Sequence, residues 1–374
     1  MKVNFVDLKR QYLPMIGELM KSVDDVIDTT SFVGGKYLTE FEEKFAAYHG
    51  AKYCVGVGSG TDALWLALKA YGIGDGDEVI VPANTFIATA FAASQLRAKV
   101  VFIDADPNTY NMDLKALRKL VTDKTRAIMP VHLYGNPCNV EEIKKIVGSR
   151  NVIIVEDCAQ SIGAHINGVK RGTVGNIGCY SFYPAKNLGG LGQGGAVITD
   201  DPEVAKLIRE YGNVGRIEGS HFDYGHIGFN SRLDTINAAF LSVGMNYIDE
   251  WNRSRRQVAA WYSKYLSVVE EVRLPYSEPG YYAVHHLFPV QCGSKELRDG
   301  LKNFLTENGI GTGLHYPVPC HKQDPYLTKK KFKVAERLAD TLVSLPMHPS
   351  LREEEVRIVC EKVKEYYNGD KINS

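Results

Sequence analysis

Short apolar runs alternate with helical patterns between about residues 53 and 200 of the chain. The runs include YCVGVG, EVIVP, KVVFID, NVIIVED and GGAVITD, which are of strand length and rich in β-branched residues. Strands that are apolar on both faces are typical of a buried, mainly parallel sheet. The alternation therefore predicts an α/β fold in which a mainly parallel sheet lies between two layers of helices.

The pattern changes after Ser231, where residues 232–266 form a nearly unbroken helical stretch with a single glycine, Gly244. We place a domain boundary within this stretch, near Tyr247. This gives a large α/β domain over residues 12–246 and a smaller α+β domain over residues 247–374. The smaller domain is expected to contain a strand at 283–291, a helix at 295–309 and two terminal helices, and residues 1–11 are expected to pack on it.

Composition and charge exclude several classes of protein. Of the 374 residues 44% are hydrophobic, and 44 basic residues balance 44 acidic ones, so no overall positive charge is available to attract nucleic acid. The seven cysteines are scattered and form no C-x-x-C pair, which predicts neither a metal site nor a disulfide framework. Because no apolar run is long enough to cross a bilayer, we expect a soluble cytoplasmic protein without membrane contact.

The segment GSGTDAL, at residues 58–64, is the first candidate for chemistry. Here a strand ends, glycines free the backbone, and a helix opens near Thr61, so unpaired N–H groups and the positive end of the helix dipole suit a phosphate. An equally good interpretation is a tight strand-to-helix turn capped by Ser59 or Thr61. The spacing is not G-x-G-x-x-G, which disfavours a nicotinamide oxidoreductase.

The segment VEDCAQ carries the second candidate. The apolar strand NVIIV delivers Asp157 to its carboxyl end, with Gln160 three residues later. Ligands bind at that edge of an open α/β sheet, and a carboxylate there can pair with the protonated ring nitrogen of a pyridine cofactor. Alternatively, Asp157 caps the turn that follows.

The third candidate is SFYPAKNLGGLGQGG, in which Lys186 follows a strand and precedes five glycines. A lysine that acts as a Schiff-base nucleophile must reach its partner from a fixed loop and be uncharged during part of its cycle. Most lysines are simply solvated. Lys186 differs because it is the only charged residue from Ser181 through Ala196.

These three segments, together with PANTFIATA at residue 82 and SLPMHPSL at residue 344, resemble the DegT-type family of sugar aminotransferases over nearly the whole chain. That family is a branch of the aspartate-aminotransferase fold, fold type I. The resemblance implies the cofactor pyridoxal 5'-phosphate, with Lys186 as its catalytic Schiff-base partner and Asp157 on the pyridine nitrogen. The other cofactor contacts that it implies are Gln160 on the 3-hydroxyl, Phe86 on the ring face, and Gly60, Thr61, Ser181 and the neighbouring subunit's Asn230 on the phosphate.

The resemblance is less informative about substrate contacts. It suggests Tyr183, His315 and Tyr316 for the sugar and pyrophosphate, with His321 and Arg232 as weaker candidates. The pair His285 and His286 falls on an expected strand and is interpreted as packing or hydrogen-bonding residues. Where many relatives read G-D-G-G or G-E-G-G, this chain has Gln193 in GQGG and so lacks a carboxylate.

The resemblance implies transfer of an amino group from glutamate to a nucleotide-linked keto sugar, in a homodimer with shared active sites. The loop YPAKNLG resembles that of relatives that aminate carbon 3 rather than carbon 4. We therefore expect a dTDP-3-keto-6-deoxyhexose as acceptor and a dTDP-3-amino-3,6-dideoxyhexose as product. The alternatives are a UDP-linked 3-keto sugar, a 4-keto sugar, and a non-catalytic regulator on the same fold. The related sugar dehydratases carry histidine at the lysine position, which Lys186 disfavours.

Overall fold

The computed structural model describes residues 2–373, with side chains through residue 369, and contains three β-sheets. The strands, in chain order, are β1 (Tyr53–Val57), β2 (Glu78–Pro82), β3 (Lys99–Ile103), β4 (Thr125–Ile128), β5 (Ile153–Asp157), β6 (His165–Ile166), β7 (Val169–Lys170), β8 (Ile177–Ser181), β9 (Gly195–Thr199), β10 (Tyr281–Tyr282), β11 (Phe288–Gln291) and β12 (Leu342–Leu345). The central sheet has the order β1-β9-β8-β5-β4-β2-β3, and in it only β9 runs against its neighbours.

Helices precede, connect and follow these strands. They are α1 (Leu8–Tyr12), α2 (Ile16–Asp28), α3 (Lys36–His49), α4 (Gly60–Ala70), α5 (Ala88–Gln95), α6 (Leu114–Leu120), α7 (Val140–Val147), α8 (Pro202–Gly212), α9 (Thr235–Gly244), α10 (Ile248–Leu266), α11 (Lys295–Glu307), α12 (Lys333–Thr341) and α13 (Glu353–Asn373). Short 3-10 turns lie at Leu13–Met15, Leu133–Gly135, Cys320–Lys322 and Asp324–Tyr326.

Both faces of the central sheet are covered by helices. In β2, Val79 and Val81 pack into a core that contains the buried side chains of α4 and α5. Ile80 points the other way, into a core with α6 and α7. Alternate residues of a strand point to opposite faces, so an apolar residue at every position is what burial on both faces requires. The three-layer, mainly parallel α/β fold predicted from the sequence is confirmed.

A separate core lies in the carboxyl-terminal part of the chain. It is formed by buried residues of α10, α11 and α13 and of the antiparallel pair β11 and β12. The amino-terminal Val3 is buried in this core and forms an isolated parallel bridge with Ile310. The first residues of the chain therefore lie against elements that follow α10.

Two elements differ from those expected. The helical stretch after Ser231 is broken between α9 and α10, directly after Gly244, where a side chain would meet Leu188 at 2.9 Å. The strand expected over 283–291 is confined to Phe288–Gln291, because His285 adopts a φ of 42° that a strand does not allow. His285 and His286 thus lie in an irregular segment before the strand.

The described helices include none with the length and apolar character needed to cross a bilayer. All seven cysteines are buried free thiols.

The buried carboxylate of Glu156 holds the loop after β7 against β5. Its two oxygens accept hydrogen bonds from the backbone N–H groups of Gly172, Val174 and Gly175 at 2.6–2.8 Å, and from Nε2 of His132 at 3.0 Å. Burial by itself would raise the pKa of Glu156, but these hydrogen bonds outweigh it and hold the pKa below its usual value.

Cys158 lies close to this carboxylate, and one ligand atom each of His132, Glu156 and Cys158 lie within 4.8 Å of one another. Nδ1 of His132 accepts from the N–H of Cys138, so the ring proton is on Nε2 and is donated to Glu156. With its oxygens occupied by four donors, Glu156 serves the backbone rather than a metal ion.

We expect Glu156→Ala to lower the free energy of unfolding by about 3–5 kcal/mol, because it leaves three buried N–H groups without an acceptor. Denaturant unfolding of the cofactor-free protein measures the loss, and Glu156→Gln, which keeps one acceptor oxygen, should lose less. The wild-type contribution is present above pH 4.5, the usual pKa, and is lost as the pH falls through the lower pKa of the folded state. An Ala variant as stable as the wild type would contradict this role.

Candidate active site

A cavity of about 480 Å³ lies at the carboxyl edge of the central sheet. That edge is where open α/β sheets bind ligands. Ten of the thirteen site residues expected from the sequence line this cavity, namely Gly60, Thr61, Phe86, Asp157, Gln160, Ser181, Tyr183, Lys186, His315 and Tyr316.

Gln193, which stood out in the sequence as the replacement of a carboxylate, lines the same cavity. Residues far apart in the chain meet here because the carboxyl ends of β5 and β8 and the start of α4 share one edge of the sheet. The pairing of β5 with β8 sets Asp157 opposite Cys179, two residues before Ser181.

Lys186 reaches the cavity from a tight loop that follows β8. Its backbone N–H donates to the carbonyl of Tyr183 at 2.8 Å, and the N–H of Gly190 donates to the carbonyl of Phe182 at 2.8 Å, which closes the loop on itself. Burial lowers the pKa of Lys186 to about 8, although the nearby carboxylate of Asp157 opposes the change. About a tenth of the amine is therefore uncharged, and nucleophilic, at pH 7.

Asp157 ends β5 as a buried carboxylate. One oxygen accepts from the hydroxyl of Thr89 at 2.9 Å, and the other accepts from the backbone N–H of Ala159 at 3.1 Å. Burial raises the pKa of Asp157, while these hydrogen bonds and the charge of Lys186 act against the rise. A cationic N–H group in the cavity would favour the charged carboxylate, as a pyridinium nitrogen does.

The first turn of α4 provides the end of the cavity that suits a phosphate. Ser59 caps the helix by accepting from the N–H of Asp62 at 3.1 Å, as one of the two sequence interpretations proposed. The helix start is packed closely on β8, because a side chain on Gly60 would come within 2.6 Å of Cβ of Ser181. Gly60, Thr61 and Ser181 thus enclose a small space at the positive end of a helix.

Gln160, Phe86 and Tyr316 form the next part of the wall. The amide oxygen of Gln160 accepts from the N–H of Tyr134 at 2.6 Å, so its amide nitrogen faces the hydroxyl of Tyr316 at 3.2 Å. The rings of Phe86 and Tyr316 lie 5.5 Å apart. An aromatic face beside an amide donor suits a flat ring that carries a hydroxyl group.

The opposite wall comes from the amino terminus and from segments after α10. The ring of His315 stacks on Phe5 with 5.7 Å between centroids, and its Nδ1 lies 2.9 Å from the hydroxyl of Ser344. Burial, aided by the charge of Lys186, lowers the pKa of His315 to about 4, so this ring is neutral. Val6 and Met347 also line this wall.

The groups in the cavity fit pyridoxal phosphate. A nucleophilic amine, a buried carboxylate, an amide donor, an aromatic face and a helix start correspond to its aldehyde, ring nitrogen, hydroxyl group, ring and phosphate. The residues that would hold these parts are Lys186, Asp157, Gln160, Phe86, Gly60, Thr61 and Ser181.

Three expected residues lie outside the cavity. His321 is fully buried, with Nε2 at 3.2 Å from the carboxylate of Glu336 and its ring against Phe332. The ring of His321 is therefore turned away from the cavity. Asn230 is exposed, and Arg232 donates to its side-chain oxygen at 2.7 Å on the molecular surface.

Sequence reasoning missed several residues of the site. Thr89, which donates a hydrogen bond to Asp157, lies three residues after Phe86 in the first turn of α5. The start of this helix next to Phe86 is the signal that could have identified Thr89. Phe5 gave no local signal, because its place depends on the long-range contact of the amino terminus with residues after α10. His286 was interpreted as a packing or hydrogen-bonding residue on a strand; it does contact Asn187, but it also lines the cavity.

Comparison with known proteins supports an enzymatic function for this site. The model of the DegT/DnrJ/EryC1/StrS aminotransferase family matches residues 15–364. The dTDP-3-amino-3,6-dideoxy-alpha-D-galactopyranose transaminase of Aneurinibacillus thermoaerophilus is 42% identical over 97% of this chain and 99% of its own length. Other relatives have the names of a pleiotropic regulatory protein from Geobacillus stearothermophilus and of aminotransferases for UDP-linked sugars.

Solved structures agree with the fold and the cofactor. DesV from S. venezuelae, in complex with a ketimine intermediate, is 38% identical with a TM-score of 0.94, and the match covers 98% of each chain. NtdA from Bacillus subtilis, with bound cofactor PMP, is 29% identical with a TM-score of 0.91 over 98% of this chain and 85% of its own. The expected cofactor is confirmed as pyridoxal phosphate. The chain belongs to the DegT/DnrJ/EryC1/StrS aminotransferase family.

Proposed function

We propose that this aminotransferase moves an amino group from glutamate to carbon 3 of a dTDP-3-keto-6-deoxyhexose and yields a dTDP-3-amino-3,6-dideoxyhexose. The observation that carries the amino transfer is the amine of Lys186, partly uncharged through burial, in one cavity with Asp157 and a helix start. The choice of carbon 3 rests on the loop YPAKNLG around Lys186 and on the name of the relative from A. thermoaerophilus.

Each residue has a separate task in this reaction. The cofactor, when bound, supplies an electron sink next to the nitrogen that is transferred. Lys186 binds the cofactor and, once released, carries a proton between the two carbons of the transfer, for which a pKa of about 8 is suitable. Asp157 keeps the ring nitrogen protonated, and Phe86 and Gln160 fix the plane of the ring.

A regulator on the same fold is the alternative from a different class of protein. The relative from G. stearothermophilus shows that such a name occurs among proteins 41% identical to this chain. A protein that only binds a cofactor or a sugar does not need a lysine whose amine is partly uncharged. The cavity of this chain keeps the whole set of Lys186, Asp157 and Gln160, which favours catalysis.

We also propose that the active unit is a homodimer in which Asn230 of each subunit contacts the cofactor's phosphate in the other subunit. Asn230 is exposed, outside the cavity of its own chain, and lies among exposed apolar side chains of the same segment. These apolar residues are Phe222, Tyr224, Ile227 and Phe229, which are 57–90% exposed. Exposed apolar residues in one segment are typical of a surface that another protein covers.

We expect Lys186→Ala to abolish amino transfer without loss of folding, because it removes both the nucleophile and the proton carrier from a loop. Lys186→Arg should not restore the rate, since a guanidinium group remains protonated. A glutamate-dependent assay measures the rate, and circular dichroism controls for folding. Near wild-type turnover in the Ala variant would refute the assignment.

The lowered pKa of Lys186 gives this assignment a second measurement. Covalent capture of pyridoxal phosphate requires the unprotonated amine, whose fraction grows as the pH rises through about 8 rather than through the usual 10.5. The rate at which cofactor-free protein captures the cofactor should therefore rise with pH and level off above about 8. A rate that still increases steeply above about pH 10 would mean that the pKa of the amine is not lowered.

We expect the protein to aminate carbon 3 and to prefer a dTDP-linked 6-deoxy sugar. Incubation with glutamate and matched 3-keto and 4-keto sugar nucleotides, with dTDP and UDP versions of each, separates these choices. NMR of the product identifies the carbon that carries nitrogen. Amination confined to carbon 4 would overturn the position, and a preference for the UDP-linked sugar would overturn the nucleotide, while amino transfer itself would stand.

Mixing two inactive variants tests the shared site. A Lys186→Ala subunit and an Asn230→Asp subunit, once mixed, form a dimer with one intact site, because Lys186 of one chain meets Asn230 of the other. We expect the mixture to recover up to roughly a quarter of wild-type activity, since about half of the dimers are mixed and each has one working site. Two Lys186→Ala preparations mixed in the same way should remain inactive.

If Asn230 serves its own chain, the mixture of the two variants will not regain activity. A fully active monomer in sedimentation experiments would refute the dimer itself.

A further inference from the structure

We propose that His286 recognises the sugar, by accepting a hydrogen bond from one of its hydroxyl groups at an unprotonated Nε2. This proposal rests on the proposed function and adds to it a residue that determines substrate choice. His286 is 9% exposed, lines the cavity and is not among the groups that fit the cofactor.

The hydrogen bonds of Asn187 fix the position of the ring proton. The amide nitrogen of Asn187 donates to the carbonyl of Val284 at 3.1 Å and to the side-chain oxygen of Asn252 at 3.0 Å. Asn252 is oriented in turn, because its own amide nitrogen donates to the carbonyl of Ile162 at 2.9 Å. The side-chain oxygen of Asn187 is therefore the atom that faces Nδ1 of His286, at 3.2 Å.

An amide oxygen only accepts hydrogen bonds, so Nδ1 of His286 must carry the proton. In a neutral imidazole the other nitrogen, Nε2, then has a lone pair and no hydrogen. The ring thus has its donor directed into the protein and its acceptor left for the cavity. This tautomer is set by Asn187 and Asn252 without any contribution from a ligand.

Burial and two nearby positive charges keep this ring neutral. Burial is the largest influence, and the charges of Lys186 and Arg255 add to it, so the pKa of His286 lies well below 6.5. A protonated His315 would act in the same direction. Arg255 also holds the backbone in place, since its buried guanidinium donates to the carbonyl of His286 at 3.3 Å and of Met347 at 3.2 Å.

The partner of Nε2 must be a hydrogen-bond donor, and the surroundings favour a neutral one. Among the described residues that line the cavity only Asp157 and Lys186 carry a formal charge, and both fit the cofactor. The wall of His286, Leu287, His315 and Met347 has no cation for the carboxylates of an amino acid. A sugar hydroxyl is a neutral donor that such a wall can bind, and carboxylate oxygens are acceptors that Nε2 cannot bind.

The two half-reactions test this proposal separately. In each, the absorbance of bound cofactor is followed in a single turnover, first with glutamate and then with the preferred keto sugar nucleotide. We expect His286→Phe to raise the KM for the sugar about 10- to 100-fold with little change in kcat, and to leave the glutamate half-reaction unchanged. His286→Gln, whose amide oxygen can accept at the position of Nε2, should recover part of the affinity.

His285→Asn is the matched control, because His285 lies next to His286 but does not line the cavity, and asparagine tolerates its positive φ. This variant should keep the wild-type KM. Equal losses in both half-reactions, a loss confined to glutamate, or no effect of His286→Phe would each overturn the proposal.

A measurement without cofactor or substrate tests the tautomer itself. In cofactor-free protein labelled with 15N-histidine, long-range 1H–15N spectra should show His286, assigned by its loss in His286→Phe, protonated at Nδ1 and unprotonated at Nε2, and its pKa should lie below that of an ordinary histidine. A proton on Nε2 would overturn the proposal for His286 alone. A wild-type protein that aminates no keto sugar would instead overturn the proposed function, and the proposal for His286 with it.

Discussion

The site depends on the burial of two opposite charges, Lys186 and Asp157, at one edge of the sheet. Burial works against both charged forms, because it lowers the pKa of the amine and raises that of the carboxyl, while each charge partly stabilises the other. Such a pair is costly to enclose, and the surrounding structure offsets the cost through hydrogen bonds to Asp157 from Thr89 and Ala159. The amine receives less support, so it is the group that remains reactive.

The two adjacent carboxylates of β5 have different roles, because one binds backbone N–H groups and the other lines the cavity. Successive residues of a strand point to opposite faces, so Glu156 and Asp157 enter different environments although both are buried. Glu156 is saturated by backbone N–H groups and holds the loop that leads into β8. The carboxylate of Asp157 accepts one hydrogen bond at each oxygen from the described residues and keeps acceptor capacity for a ligand. The strand that presents Asp157 to the cavity is thus anchored by the residue before it.

The sequence allowed the fold to be predicted because the ends of its strands and the starts of its helices follow local rules. Asp157 and Ser181 end apolar strands, and Gly60 opens a helix, so their positions at the edge of the sheet can be inferred from short segments. Their contacts with the cofactor are expected from the family resemblance. His286 could not be found in this way, since its place depends on a break in the strand pattern and on Asn252 and Arg255 of a distant helix. The surroundings of His321 could not be predicted for the converse reason. The local motif suggested a substrate contact, but the side chain points inward, toward Glu336.

The distribution of charge also bears on how a nucleotide could be held. A diphosphate is normally met by arginine or lysine, yet the cavity walls described for this chain contain no arginine, and their one lysine is Lys186. Arg232 instead lies outside the cavity, bonded to the exposed Asn230. If Asn230 contacts the neighbouring subunit, Arg232, which is bonded to it, places a positive charge near that subunit's substrate. We infer that the neutral wall around His286 selects the sugar, whereas recognition of the diphosphate depends on the partner subunit, so the two kinds of specificity would change independently.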